Sequence, residues 1–313
     1  MSKTTATSVR DTRRLLLTYL SAQIDELRAR EPGARVERPD AVHRMRVASR
    51  RLRSSLATFR PLFRGARARR LRDELQWLGT VLGPVRDVEV MRVHLHEAAA
   101  RAGDTDLAGV LAQLDHELAE QHSRAQTELV MAMDGPRYAA LLGALEAFVI
   151  KPPWARRTTK ASARLTLPVL VGRACARVDR AARAVQAAQA AQAAQASGKA
   201  ESVPEGGDAE LHEVRKAAKR ARYAAEVAGP SVGSAAYTLA ARMEQLQEVL
   251  GRHQDSLMIR ALVQDLADRV TRRQTLALRL LAASEQGDDD PFLAAYDLAL
   301  AAASADEVRG WTG

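Results

Sequence analysis

Apolar positions recur every three to four residues along most of this chain, the spacing of helices that bury one face. Leu16, Leu20, Ile24 and Leu27 mark a first helix from Val9 to about Arg30, which Glu31-Pro32-Gly33 is expected to break. Pro39-Asp40 opens a second helix that ends between Arg60 and Gly65, with Asp40 as its expected cap. Leu71, Leu75, Leu78 and Leu82 give a third from Ala66 to Leu82, with Trp77 beside its core face. Further helices are predicted after Asp87 to about Arg101, over Asp104–Met133 and over Arg137–Ile150. Pro152-Pro153-Trp154 then interrupts the chain, dividing it into halves at 1–156 and 157–313. The second half reads as helices over Ala161–Ala196, Glu210 to Gly229-Pro230, Ala235–Leu250, Asp255–Val270 and Thr271–Ala283. Asp288-Asp289-Asp290-Pro291 caps a last short helix to about Ala303, and the tail beyond it is expected to be loose. Residues 184–208 hold an Ala/Gln tract and a Gly/Pro linker; the tract favours helix but has little to bury, so it is expected to project or fray. No strand-length alternation occurs, and the fold class is all-α.

Two of these helices carry an unusual polar side. Ala41–Leu56 reads AVHRMRVASRRLRSSL and Glu210–Ala225 reads ELHEVRKAAKRARYAA. At an offset of 169, His43 falls on His212, Arg46 on Arg215, Arg50 on Lys219, Arg51 on Arg220 and Arg53 on Arg222. His43, Arg46, Arg50 and Arg53 share a sector roughly 80° wide on a helical wheel. Val42, Met45, Ser49, Leu52 and Leu56 occupy the opposite side. The second copy keeps the division, with His212, Arg215, Lys219 and Arg222 opposite Leu211, Val214, Ala218 and Ala221. Lys216 and Tyr223 flank its basic stripe. Downstream, Leu82-Gly83-Pro84-Val85-Arg86-Asp87 is echoed by Leu250-Gly251-Arg252-His253-Gln254-Asp255. Each Gly is expected to end a helix and each Asp either to cap the next or to orient the basic side chains. The repeated order implies an internal duplication.

Two cations about 6 Å apart repel by roughly 3 kcal/mol at an effective dielectric near 20, and by well under 1 kcal/mol in water. A fold gains nothing from such stripes for its own stability, so they point to a polyanionic ligand. The formal charge of +9 agrees without choosing among polyanions. Aromatic residues make up only 4 %, which favours close-packed helices and offers few platforms for stacked bases. Cys175 stands alone, so no intramolecular disulfide forms, and it reads as a small buried hydrophobe. The N-terminus lacks the apolar core of a secretory signal and the longest apolar run, Ala139–Ile150, is too short to span a membrane. The cytoplasm is the expected compartment. His94 and His96, like His116 and His122, diverge on their helices, so no metal site is expected, and no cofactor. Walker, GxSxG and Rossmann signatures are missing, and no catalytic residue is assigned.

The His-x-x-Arg-led basic helix and the Leu-Gly-x-x-x-Asp segment, each present in both halves, resemble the hallmarks of the CHAD domain, the conserved-histidine α-helical domain. The resemblance runs from about Arg10 to about Ala303. It implies two helical bundles related by pseudo-twofold symmetry, with basic helices lining a shared cationic groove. It also implies non-catalytic binding of inorganic polyphosphate. Carried over by position, the binding set is His43, Arg44, Arg46, Arg50, Arg51, Arg53, His212, Arg215, Lys216, Lys219, Arg220 and Arg222, with Asp87 and Asp255 as orienting or capping residues. The family's frequent triphosphatase partner carries a Glu-x-Glu-x-Lys signature that is not found here.

Sequence-nonspecific nucleic-acid binding is the competing expectation, since long basic helices would also suit DNA, although no reader motif is present. A structural protein of polyphosphate granules is a third, and it describes a location for the first as much as an alternative. Oligomeric state, chain-length preference and the biological purpose of binding stay open at this point.

Overall fold

The computed structural model describes residues 12–102, 105–155, 163–196, 207–267 and 289–313. Among these residues the regular elements are all helical, with one isolated antiparallel bridge between Phe63 and Trp154. In chain order they are α1 (Thr12–Arg35), α2 (Ala41–Thr58), α3 (Arg67–Ala102), α4 (Thr105–Asp134) and α5 (Pro136–Ile150). The second half supplies α6 (Ala163–Ala196), α7 (Asp208–Val232), α8 (Ser234–Ala267), α9 (Asp289–Ser304) and α10 (Asp306–Arg309). Short 3₁₀ turns occupy Arg60–Leu62 and Gly310–Thr312.

The apolar stripes do what their spacing demands. Leu16, Leu20, Ile24 and Leu27 of α1 are buried against Val42, Met45, Leu52 and Leu56 of α2 and Leu71, Leu75, Leu78 and Leu82 of α3. In the second half Val171, Ala174 and Val178 of α6 pack with Val214, Ala218, Ala221 and Ala225 of α7 and with Leu239, Met243 and Leu246 of α8. Helices α1–α5 pack mainly on one another, and so do α6–α10. The two groups meet where α1 and α2 lie against α6 and α7, and one hydrophobic core runs through both. No helix among the described residues is long and apolar enough to cross a membrane.

Several expected breaks are absent. Helix α1 continues through Glu31-Pro32-Gly33 to Arg35. Its last turn is held by side chains from outside: the Gln126 amide donates to the Ala34 carbonyl at 2.7 Å, and Arg35 reaches Asp134 at 2.6 Å. Helix α3 runs unbroken through Gly83-Pro84, and α8 through Gly251, so neither Leu-Gly segment ends a helix. Interior Gly and Pro cost about 1 and 3 kcal/mol. Leu82, Val85 and Val88 are all buried, at roughly 1.5–3 kcal/mol per side chain, and this outweighs the penalty. Helix α7 likewise passes Gly229-Pro230 and stops at Val232, before Gly233 with φ 90°. Asp40 precedes α2 as expected, but it sits in the left-handed region and its side chain makes no capping bond.

The C-terminal tail is docked rather than loose. Arg309 Nη1 donates to Asp179 Oδ1 of α6 at 2.6 Å, and Val308 and Thr312 are buried. A β-carbon at Gly172 would sit 2.5 Å from the Thr312 carbonyl oxygen, so only glycine lets the tail lie on α6 there. The Ala/Gln tract is helical to Ala196, and no residue from Gln186 to Gln192 is buried. The predicted helix Thr271–Ala283, the Asp288 cap and most of the linker fall outside the described residues.

Candidate functional site

Helix α2 packs across α7, and a groove of about 950 Å³ opens beside their contact, flanked by the second half of α3 and by α8. The apolar faces of α2 and α7 are committed to the core, which turns their basic faces into this space. Eight of the twelve predicted basic residues line it: His43, Arg46, Arg50, Arg51, His212, Arg215, Lys219 and Arg222. Arg44 leaves it for Glu26 at 3.7 Å, and Lys216 pairs with Glu213. Arg53 and Arg220 lie outside the lining. Asp87 and Asp255 both line it, from within α3 and α8. Because both helices continue past them, neither aspartate caps a helix.

Asp87 orients an arginine, whereas on α8 Gln254 and not Asp255 makes the contact. Arg46 Nη1 donates to Asp87 Oδ1 at 2.8 Å and to the Gly83 carbonyl at 3.1 Å. Arg215 makes the matching approach to α8, where its Nη1 contacts Gln254 Oε1. A β-carbon at Gly251 would come within 3.0 Å of the Arg215 guanidinium, so this glycine serves close approach. Gln254 also reaches His212 Nδ1 at 3.2 Å. Outside the lining, Glu226 accepts from Arg51 at 3.3 Å, Arg222 at 3.1 Å and the Tyr19 hydroxyl at 2.7 Å. Arg222 also reaches Glu244 at 2.7 Å. Tyr223 lies beside the Arg51 and Arg222 guanidiniums, 5.5 and 5.9 Å from its ring centre, and its hydroxyl accepts from Arg50 Nε at 3.2 Å.

Three groove cations are nevertheless disfavoured in their charged form. Burial, then Arg215, Arg50 and Arg46, push the Lys219 ammonium down to about 7, against a modest opposing pull from Asp255. Burial and then Arg86 and Arg50 hold the His43 imidazole below its ordinary range. Arg215 is lowered by burial, with Asp255 opposing and Arg50 adding a smaller push in the same direction. In all, eight Arg and Lys residues face four carboxylates in the lining, an excess that favours an anion.

Arg86, His94 and Arg252 also line the groove and were not anticipated as site residues. Their signal lay in the Leu-Gly segments. Once those are read as helix interiors, Gly83, Arg86, Asp87, Val90 and His94 fall on one face, as do Gln247, Glu248, Gly251, Arg252 and Asp255. Among the described residues no group of three or more His, Cys, Asp and Glu is placed to hold a metal ion.

A family model for the CHAD domain matches residues 18–264. Two Mycobacterium tuberculosis proteins, "Uncharacterized protein MT2285" and "Uncharacterized protein Rv2226", are each 30% identical over 271 residues, 86% of this chain and 46% of the relative. The chain therefore spans about half the length of these relatives. PptA from Streptomyces chartreusis is similar in structure, with a TM-score of 0.72 at 22% identity over 92% of this chain and 99% of that one. The CHAD domain from the plant Ricinus communis gives a TM-score of 0.67 at 24% identity, covering 95% and 92%. At these identities the two structures speak to the fold.

Proposed function

The chain belongs to the CHAD domain family, and from that premise we propose that it binds inorganic polyphosphate, without chemistry, in the groove beside α2 and α7. The family is linked to polyphosphate binding generally and its domains are generally non-catalytic. The observation that carries the reading for this chain is Lys219. Three arginines crowd its ammonium, and among the described residues it has no ion pair, so the groove holds charge that its own residues do not balance.

Polyphosphate carries about one negative charge per phosphate and has no base or sugar to recognise. Arg46 and Arg215, already oriented from α3 and α8, present planar forks to phosphate oxygens, while Lys219 adds a mobile point charge. The corresponding placement of Arg46 over Gly83 and Arg215 over Gly251 supports the duplication and a ligand that runs along both halves. Nucleic acid fits less well. Tyr223, the one Phe, Tyr or Trp among the described residues of the lining, lies beside Arg51 and Arg222, and its hydroxyl accepts from Arg50. Association with polyphosphate granules is the cellular setting this reading supports.

The test is calorimetric titration of long-chain polyphosphate at near-physiological salt, with duplex DNA as competitor at matched charge. Arg46→Ala, Arg50→Ala, Arg215→Ala and Lys219→Ala combined should weaken polyphosphate by at least about a hundredfold, on the order of 3 kcal/mol after screening. Equal affinity for DNA, equally lost in the variant, would move nucleic acid to first place.

A further inference from the structure

Four arginines outside the groove remain unexplained by it: Arg53 of α2, Arg72 of α3, Arg177 of α6 and Arg220 of α7. The helix packing gathers them, since α2 lies against α3, α6 and α7, and α6 lies against α7. Arg53 contacts the Gln76 side chain, which stands one turn along α3 from Arg72. Arg72 keeps its Nε buried without a partner. Among the described residues none of the four forms an ion pair, although carboxylates nearby are engaged elsewhere: Glu74 with Arg137, Glu213 with Lys216 and Asp179 with Arg309. Burial lowers Arg53, and Arg220, Arg50 and Arg72 add to it. Burial, then Arg177 and Arg72, lower Arg220, with Glu213 opposing. The cluster repels itself, as the groove does. Arg50 belongs to both, because it lines the groove and its field reaches Arg53.

We propose that Arg53, Arg72, Arg177 and Arg220 form a second anion-binding site, joined to the groove at Arg50, which takes the phosphate units of a linear polyanion too long for the groove. This rests on the polyphosphate reading and deepens it. The chain length of the ligand then decides how many cations engage: a short oligophosphate is served by the groove alone, and a long chain crosses from the groove onto the four arginines. A ligand confined to the groove does not reach the four arginines, so their loss affects long chains selectively.

The experiment compares tripolyphosphate with long-chain polyphosphate by calorimetry, on the wild-type chain and on Arg72→Gln combined with Arg177→Gln. Melting of each protein is followed by circular dichroism. Removing unpaired like charge should leave melting unchanged or slightly higher. Tripolyphosphate affinity should stay within about twofold, while long-chain affinity falls about tenfold or more. The log–log salt slope for the long chain should flatten by about 1.4, taking roughly 0.7 per lost contact from single-stranded polyanions. Arg72→Lys with Arg177→Lys should restore most of the long-chain affinity. A long-chain affinity unchanged in a normally folded Gln variant overturns the second site and leaves the groove standing. An equal loss for both ligands also overturns it, because the arginines would then act on the groove itself. If neither ligand binds the wild-type chain, the polyphosphate reading falls and takes the second site with it.

Discussion

Arg46 of α2 is clamped to α3 by Asp87, with Nη1 2.8 Å from the carboxylate and 3.1 Å from the Gly83 carbonyl one turn earlier. The pair is largely exposed, so it contributes well under 1 kcal/mol to stability. Its importance is positional and electrostatic: it aims the guanidinium while placing a negative charge in a groove lined mainly by cations. Asp87→Asn keeps an acceptor for Arg46 and removes that charge. The expected outcome is unchanged melting and a two- to fivefold gain in polyphosphate affinity, about 0.5–1 kcal/mol. A loss of affinity, read by calorimetry, would mean that Arg46 needs the full carboxylate to hold its aim.

Lys219 makes the groove pH-sensitive. Burial first, then Arg215 on its own helix and Arg50 and Arg46 on α2, bring its pKa to about 7, and Asp255 on α8 opposes them. A bound polyanion favours the ammonium, so binding takes up protons at pH 7.5, and affinity falls as pH rises through 7 to 8. Stability moves the other way. The folded pKa lies below the unfolded lysine value near 10.5, so between about 7 and 10.5 the unfolded chain holds the extra proton. Stability therefore rises with pH over that window, and the cost is fully present below 7. Calorimetry in buffers of different ionisation enthalpy measures the uptake. Lys219→Met should remove most of it and raise the melting temperature at pH 6.5; an uptake unchanged in Lys219→Met would assign the effect to His43.

The helical stripes were legible because burial follows period: Leu16, Leu20, Ile24 and Leu27 needed only their spacing to be placed in the core. The basic faces of α2 and α7 were legible for the same reason. A wheel, however, has no coordinate along the axis. Arg50 and Arg53 share a sector, yet α2 crosses α7, so Arg50 lines the groove while Arg53 lies outside the lining and turns to Gln76 of α3. The Leu-Gly segments misled because Gly and Pro are weighed locally, whereas Leu82, Val85 and Leu250 bury against helices distant in sequence. Arg86 and Arg252 were hidden with them.

Gly172 is where the tail touches α6. Gly172→Ala puts a methyl group 2.5 Å from the Thr312 carbonyl oxygen, and that backbone atom must move. The tail should lift, exposing Val308 and loosening Arg309 from Asp179, at a cost of roughly 1–3 kcal/mol. Faster proteolysis near the C-terminus and a lower urea midpoint are the expected readouts. An unchanged midpoint would show that the tail adds little to the core beneath it.

Glu226 joins the two halves beside the groove, through Arg51 and Arg222 of its lining. Its carboxylate accepts from Tyr19 of α1, Arg51 of α2 and Arg222 of its own helix α7, so one side chain neutralises charge from both halves. The site is only 20% exposed, which makes an unpaired guanidinium there costly. Glu226→Gln leaves Arg51 without a counter-charge and Arg222 with Glu244 alone. The expected loss is about 2 kcal/mol, less than the 3–5 of a fully buried broken pair because solvent still reaches these groups. Tyr19→Phe removes one hydrogen bond to the same carboxylate and should cost about 1 kcal/mol. Because Arg51 and Arg222 are then freed toward the groove, Glu226→Gln should also bind polyphosphate more tightly while unfolding at lower urea. Opposite signs for stability and affinity would identify Glu226 as a counter-ion that trades ligand charge for cohesion between the halves. Parallel losses would instead mean that the groove's shape depends on it.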